Sequence, residues 1–162
     1  MVSLRVYFPQ ATIKGIDINP ANIEVCRRRF ARDSAVSLEA ASSTAREPAN
    51  SYDAIFCIAV LRHGGLALPG ITRCDHLIRF EDFARTIEDL RRCLKPDGLL
   101  AMHHSNFRLC DTPAGRDFET VLRTEVAKAA MTPIFGPDNH LMPGVLYTDT
   151  VFRKTIHCGA TA

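Results

Sequence analysis

The chain has 162 residues, of which 46% are hydrophobic and 7% aromatic, values typical of one globular domain with a hydrophobic core. Its formal net charge is only +2, and lysines and arginines alternate with acidic residues, so no basic face indicates nucleic acid as a partner. No apolar run approaches the roughly 20 residues that cross a bilayer, and the N-terminal segment MVSLRVYFPQ lacks the apolar core of a secretory signal. We therefore expect a soluble, cytoplasmic protein that does not span a membrane.

The cysteines indicate reduced thiols. No C-x-x-C pair occurs, and no two metal-ligating residues have the spacing of a zinc site. Several cysteines lie in apolar stretches, which favours burial in the core over a disulfide framework. The six are Cys26, Cys57, Cys74, Cys93, Cys110 and Cys158.

The first part of the chain predicts a strand that runs directly into a helix. The segment ATIKGIDIN (11–19) is short and apolar, and it ends where Asn19 can cap a helix whose first position is Pro20. Within that helix Ile23, Cys26 and Phe30 recur at helical spacing, so one face should pack on a sheet. A second, weaker strand is predicted in AVSLEA (35–40).

The middle of the chain predicts two more strands with a helix between them. YDAIFCIAV (52–60) is almost continuously apolar, as in a strand buried on both faces of a parallel sheet. Residues 62–79 show no period and predict a long loop. From Phe80 an apolar stripe predicts a helix that ends at KPDG (95–98), because proline cannot continue it. LLAMHH (99–104) then predicts another buried strand.

The last third of the chain is less regular. Residues 105–125 fit either a loop with a strand or a loop with a helix, and residues 132–144 are interrupted by prolines and glycines. LYTDTVFRKT (146–155) alternates as a closing strand does. Strands alternating with helices in this way predict an open, mostly parallel α/β sheet.

Ligands of open parallel sheets lie beyond the carboxyl ends of the strands. Asp17 is placed there, where a carboxylate can accept both ribose hydroxyls of a nucleotide-like cofactor; the alternative is that Asp17 only caps the following helix. His103 and His104 also follow a strand end, where a histidine could act as a base. Because neighbours on a strand point to opposite faces, we expect them not to share a pocket and favour an interpretation without a catalytic role.

Four segments resemble class I S-adenosylmethionine-dependent methyltransferases. KGIDINPANIEVCRRRF is similar to the second strand and helix of that family, and SYDAIFCIAVLRH to its fourth strand. DLRRCLKPDGLLAMHHS resembles the following helix, turn and fifth strand, and YTDTVFRK the antiparallel last strand. The resemblance implies a Rossmann-like α/β fold, mostly parallel with an antiparallel C-terminal strand, in a single partial domain over residues 1–162.

The resemblance also implies roles for individual residues toward S-adenosyl-L-methionine. Asp17 would bind the ribose, and Ile18 would lie against the adenine. Ile58 and Ala59 would line the methionine side and the mouth of the substrate site. The third strand departs from the family pattern, since AASST replaces the usual aspartate. Ser42 or Ser43 would then supply a weaker, neutral hydrogen bond.

The largest departure lies at the start of the chain. The family has a strand and a glycine-rich loop before the helix that leads to ATIKGID, whereas only MVSLRVYFPQ, similar to the tail of that helix, is present here. We therefore expect a truncated chain whose first central strand is missing and whose cofactor site is incomplete or lost. Unpaired backbone groups should make the chain poorly stable or prone to aggregation; a cooperative unfolding transition would contradict this.

Three functions remain open from the sequence. The first is transfer of a methyl group from S-adenosylmethionine to an unknown acceptor. The second is a non-catalytic remnant or partner-binding subunit that keeps the sheet without the cofactor loop. The third is a nicotinamide-dependent oxidoreductase, which also carries an acid at the second strand end but fits the last strand less well. We expect specificity to reside in residues 62–79 and 135–143; the sequence names neither the acceptor nor the oligomeric state.

Overall fold

The computed structural model describes residues 2–61, 71–74 and 78–155. The chain forms two compact units, residues 1–44 and 45–162. No helix in the described ranges is long and apolar enough to cross a membrane. In chain order the helices and strands are α1 (Val2–Tyr7), β1 (Ile13–Asp17), α2 (Pro20–Arg29), β2 (Val36–Ala40), β3 (Tyr52–Ile58), α3 (Phe80–Cys93), β4 (Leu94–His103), β5 (Phe118–Arg123), α4 (Val126–Ala129) and β6 (Asp149–Lys154).

The first unit is built on two parallel strands. β1 and β2 pair in register along their whole length, with Asp17 opposite Ala40. The predicted helix start is confirmed, because the Asn19 side chain accepts a hydrogen bond from the Ala21 amide at 2.9 Å and Pro20 takes the first helical position. Of the predicted apolar stripe, Ile23 is buried, whereas Cys26 and Phe30 are half-buried.

The second unit contains a four-stranded sheet in the order β3-β4-β6-β5. β3 and β4 are parallel, and β6 runs antiparallel to both β4 and β5. The predicted antiparallel C-terminal strand is therefore confirmed. Residues 105–125, which fitted two alternatives, form two short 3-10 turns (Leu109–Asp111 and Pro113–Asp117) followed by β5. Residues 132–144 are irregular, as predicted.

The core of the second unit lies on one face of this sheet. α3 contributes Phe83, Ile87 and Leu90 to a buried cluster that includes Leu100 of β4 and Phe152 of β6. The prediction that β3 is buried on both faces is wrong: Phe56 and Ile58 are 45% and 51% exposed. A continuous apolar run does not distinguish a strand covered on both faces from one covered on one face.

The KPDG turn is present, although it lies inside β4. α3 ends at Cys93, slightly before the predicted end at KPDG, because Leu94 already belongs to β4. The pairing with β3 then jumps from Tyr52 opposite Leu94 to Ala54 opposite Leu99. Residues 95–98 thus bulge out of the ladder. A Cβ on Gly98 would lie only 2.8 Å from the Lys95 carbonyl oxygen, so this tight bulge requires glycine.

The two sheets share no strand. β1 pairs only with β2, and β3 only with β4, among the residues that the structure describes. No described strand occupies the other edge of β1 or of β3. The missing first strand and the single domain over residues 1–162 stay predictions.

Five of the six cysteines lie in the described ranges, and none of these five forms a disulfide. Cys74 and Cys93 are fully buried, as expected for thiols of the core. Cys158 lies outside the described residues.

Candidate functional site

Asp17 ends β1 at the carboxyl edge of the first sheet. Its Oδ1 accepts a hydrogen bond from the Asn19 backbone amide at 2.8 Å, and its Oδ2 accepts one from Asn22 Nδ2 at 3.1 Å. The N-cap of α2 is Asn19, whereas the Asp17 carboxylate bonds Asn19 and Asn22 at the start of that helix; its role toward a ribose stays a prediction. The two bonds fix the carboxylate at the strand end and leave acceptor capacity on both oxygens.

Three other predicted cofactor residues share this edge. Ile18 follows Asp17 and is 75% exposed. The Ala41 amide donates to the Asp17 carbonyl oxygen at 3.1 Å, which extends the β1–β2 pairing and brings the chain toward Ser42 and Ser43 beside the same strand end. Both serines are exposed. Their roles toward a cofactor stay predictions.

Ile58 and Ala59, predicted to face the methionine part and the substrate, lie at the corresponding edge of the second sheet. Ile58 ends β3 and pairs with His103 of β4. Ala59 has a φ of +55°, in the left-handed region that non-glycine residues rarely adopt. Its amide donates to the His103 carbonyl oxygen at 2.9 Å, which fixes the turn after β3.

The expectation that His103 and His104 cannot share a pocket is wrong. His104 lies just past the end of β4 and has a φ of +59°, so the alternation of side chains stops there. The two rings stand 4.2 Å apart between centroids, edge to face. His104 Nδ1 lies 3.2 Å from Thr132 Oγ1. The opposite-faces rule holds only for regular strands.

The histidines line a small recess of the second unit. Its wall also contains Tyr147, just before β6, Asp149, the first residue of β6, and Lys128 of α4. Asp149 pairs with Arg123, Oδ1 to Nε, at 2.8 Å. Burial raises the pKa of Tyr147 well above its usual value, and its hydroxyl accepts a hydrogen bond from the Leu109 amide at 3.1 Å. Tyr147 is therefore a neutral part of the wall.

Sequence patterns did not indicate Lys128, Tyr147 or Asp149 as site residues. Tyr147 and Asp149 lie in the predicted closing strand, and its antiparallel pairing with β4 brings that segment to the end of β4. Lys128 lies in the short helix α4, for which no sequence pattern was seen. The predicted loop 62–79 lies mostly outside the described residues. Of the other predicted specificity segment, Phe135 is part of the buried core. No group of three or more potential metal ligands occurs in the described ranges.

The architecture defines a class: an α/β Rossmann-like domain with an acidic residue at a strand end where such domains bind nucleotide cofactors. The model of the family described as "Methyltransferase domain" matches residues 2–102. The chain therefore belongs to the methyltransferase-domain family, which confirms the resemblance seen in the sequence.

Solved structures of methyltransferases share this fold. N-methyltransferase NodS from Bradyrhizobium japonicum WM9 has 17% identity and a TM-score of 0.55, over 88% of this chain and 73% of that one. The same enzyme in complex with S-adenosyl-L-homocysteine has 17% identity and a TM-score of 0.53, over 87% and 65%. These likenesses confirm the predicted α/β fold.

The chain spans only 33% of the length of another protein of solved structure. The [4+2]-cyclase SpnF has 21% identity and a TM-score of 0.44, over 62% of this chain and only 33% of that one. No protein of curated function matches the sequence.

Proposed function

We propose that the chain binds S-adenosyl-L-methionine at the carboxyl edge of β1 and transfers its methyl group to an acceptor. The main support for this proposal is the position of the Asp17 carboxylate and its hydrogen bonds. Its carboxylate is fixed by hydrogen bonds from the Asn19 amide and the Asn22 side chain, and no described cation pairs with it. A carboxylate in this state is suited to two neighbouring hydroxyl donors, such as those of a ribose.

The residues around Asp17 fit the rest of a nucleoside. The exposed Ile18 side chain offers an apolar surface for a flat base, at the position directly after the carboxylate. Ser42 and Ser43 offer neutral hydroxyls near the end of β2, where the base amine would need a partner. A neutral hydrogen bond contributes less than a charged one, so we expect Asp17 to dominate the affinity.

The bound cofactor would supply an electrophilic methyl group on a sulfonium. The task of the chain is then to hold the acceptor in line with that methyl, since such displacements depend mainly on positioning. Ile58 and Ala59 are our proposed residues for the methionine side and the acceptor entrance. The fixed turn at Ala59 gives this entrance a defined backbone.

Calorimetric titration of the full chain with S-adenosyl-L-homocysteine tests the proposal. We expect Asp17→Ala to weaken binding by about 10- to 100-fold, because a charged hydrogen-bond acceptor is worth about 1.5–3 kcal/mol. Glu24→Gln is the matched control: it removes one carboxylate of the same unit, on the surface of α2, and should leave affinity unchanged.

The same titration separates the alternatives. A folded wild-type chain that does not bind S-adenosyl-L-homocysteine would contradict the proposal and favour the non-catalytic subunit. Binding of reduced nicotinamide dinucleotide in its place, followed by fluorescence, would favour the oxidoreductase. The cytoplasmic location and the absence of a nucleic-acid partner stay predictions.

A further inference from the structure

The ends of β3 and β4 share a backbone feature that the proposed function does not explain. Ala59 and His104, just past the ends of the neighbouring parallel strands β3 and β4, both have left-handed backbone conformations. Such conformations are unfavourable in most non-glycine residues, and they concentrate at functional sites. Here their effect is specific, because the turn at His104 brings two imidazoles into contact in one recess.

The two rings differ in their hydrogen bonds. His104 Nδ1 lies 3.2 Å from the Thr132 hydroxyl, which fixes that ring. His103 is half-buried, and no described residue hydrogen-bonds its ring nitrogens. An imidazole held by ring contact, with its nitrogens available to a ligand, is suited to take up a proton.

The charged side chains on the recess wall are Asp149 and Lys128. Asp149 is 22% exposed and uses Oδ1 to pair with Arg123. Lys128 is 60% exposed and pairs with Glu125 at 3.5 Å. Because Asp149 is less exposed than Lys128, its charge is less screened by water. We therefore expect the Asp149 carboxylate to determine the charge of the ligands that the recess prefers. Its Oδ2, which has no hydrogen bond to a described residue, can accept one from a ligand.

We propose that this recess is the acceptor site, that the acceptor is a small primary or secondary amine, and that His103 takes its proton. The inference rests on the proposed function, since the amine must receive its methyl group from S-adenosylmethionine. Asp149 would bind the amine in its ammonium form. Ile58, beside His103 in the β3–β4 pairing, would cover the apolar part of the acceptor.

The ammonium N–H bond breaks, its proton moves to a ring nitrogen of His103, and the electron pair stays on the amine nitrogen. That pair forms the new bond to the methyl carbon while the carbon–sulfur bond breaks and its electrons stay on sulfur. The products are a methylated ammonium, a neutral thioether and a protonated His103, which returns its proton to water.

Nuclear magnetic resonance of the full chain, with labelled histidines, tests binding directly. The probe is n-butylammonium at millimolar concentration, with n-butanol and sodium chloride as references. We expect saturable shifts of the His103 and His104 ring signals with the amine only, and none of His140, which pairs with Arg73 and does not line the recess. Asp149→Asn should weaken the binding at least about 10-fold, and Glu125→Gln should not change it.

Methyl transfer to n-butylamine from radiolabelled S-adenosylmethionine tests the role of His103. We expect His103→Asn to lower kcat about 100-fold, as for loss of a general base, and to flatten the acid side of the pH profile of kcat. The titratable and charged groups that line the recess with His103 are His104, Lys128, Tyr147 and Asp149, and all four remain in this variant. Glu119→Gln, which removes an exposed carboxylate of β5 that pairs with Arg153 outside the recess, is the control and should keep the wild-type rate.

The two proposals fail in different ways. A chain that binds S-adenosyl-L-homocysteine but shows no amine-dependent shifts, transfers no methyl to the amine, or keeps its rate in His103→Asn overturns the acceptor site alone. A folded chain that does not bind S-adenosyl-L-homocysteine overturns the proposed function.

Discussion

At the scale of single residues, backbone conformation explains why sequence patterns did not predict the arrangement at the carboxyl ends of β3 and β4. Asn50, Asp97 and Asn139 also have positive φ angles, but asparagine and aspartate tolerate them. Alanine rarely adopts such angles, and a histidine is not by itself a signal for one, so the identity of these two residues does not predict a left-handed turn. The sequence could place Ala59 and His104 near a strand end but could not show that His104 turns toward the same recess as His103.

Cys57 gives a prediction at the same scale. Burial raises the pKa of this thiol from 9.0 to about 11. The folded chain therefore keeps its proton where the unfolded chain loses it, and the stability that this provides is complete below pH 9 and lost as pH rises toward 11. We expect the free energy of unfolding of the wild type to fall by about 2 kcal/mol more than that of Cys57→Ala over this interval.

Urea unfolding of both proteins across that pH interval measures the difference. Taking the difference cancels other groups that titrate there, such as Tyr147, because both proteins contain them. Below pH 9 the difference in free energy of unfolding between the two proteins should be constant and reflect only the packing of the half-buried Cys57 side chain. If this difference in free energy stays constant up to pH 11, the Cys57 thiol ionises as readily in the folded chain as in the unfolded one.

At the scale of secondary structure, α3 depends on a distant residue for its first turn. Arg79, at the N-cap position, makes no side-chain cap bond. Instead, the Phe80 amide donates to Asn139 Oδ1 at 2.7 Å. Asn139 is buried, and its φ of +64° suits asparagine. The cap thus connects the irregular segment 132–144 to the helix that carries much of the core.

Two substitutions at Asn139 separate the cap from the backbone conformation. Asn139→Gly removes the cap and tolerates the positive φ, so we expect a loss of about 1 kcal/mol. Asn139→Ala removes the cap and is also strained, which should add about 1–2 kcal/mol. Chemical denaturation measures both losses. Equal losses would show that the backbone angle does not limit stability here.

The predictions for these elements succeeded where the signal was local. The Asn19-Pro20 start of α2, the apolar stripe of α3 and the alternation of β6 are all present in the structure. The 3-10 turns after β4 were not predicted because tertiary contacts stabilise them. Gly115, for example, packs against the Leu109 carbonyl so closely that a Cβ would lie 2.3 Å from it. Such contacts between turns have no periodicity in the sequence.

At the scale of the whole molecule, the two units differ in how much apolar surface each buries. Among the described residues of the first unit, Ile23 is the one buried hydrophobic side chain. The second unit buries a continuous cluster that extends from Leu61 to Phe152. Units of about 40 residues rarely bury enough apolar surface to be stable alone. The instability that the sequence predicts for the whole chain is therefore expected to concentrate in residues 1–44.

Amide hydrogen exchange of the full chain tests this distribution. The amides of Leu100 and Ala101, which lie opposite residues of both β3 and β6, should exchange only through global unfolding and show the highest protection. Those of β1 and β2 should exchange at least about 100-fold faster, because local opening of a small unit costs less than global unfolding. The contradicting result is that the amides of both units exchange with the same free energy of opening and that the chain unfolds in one transition. The first unit would then not be less stable than the second, and the sequence-based expectation of instability would be wrong.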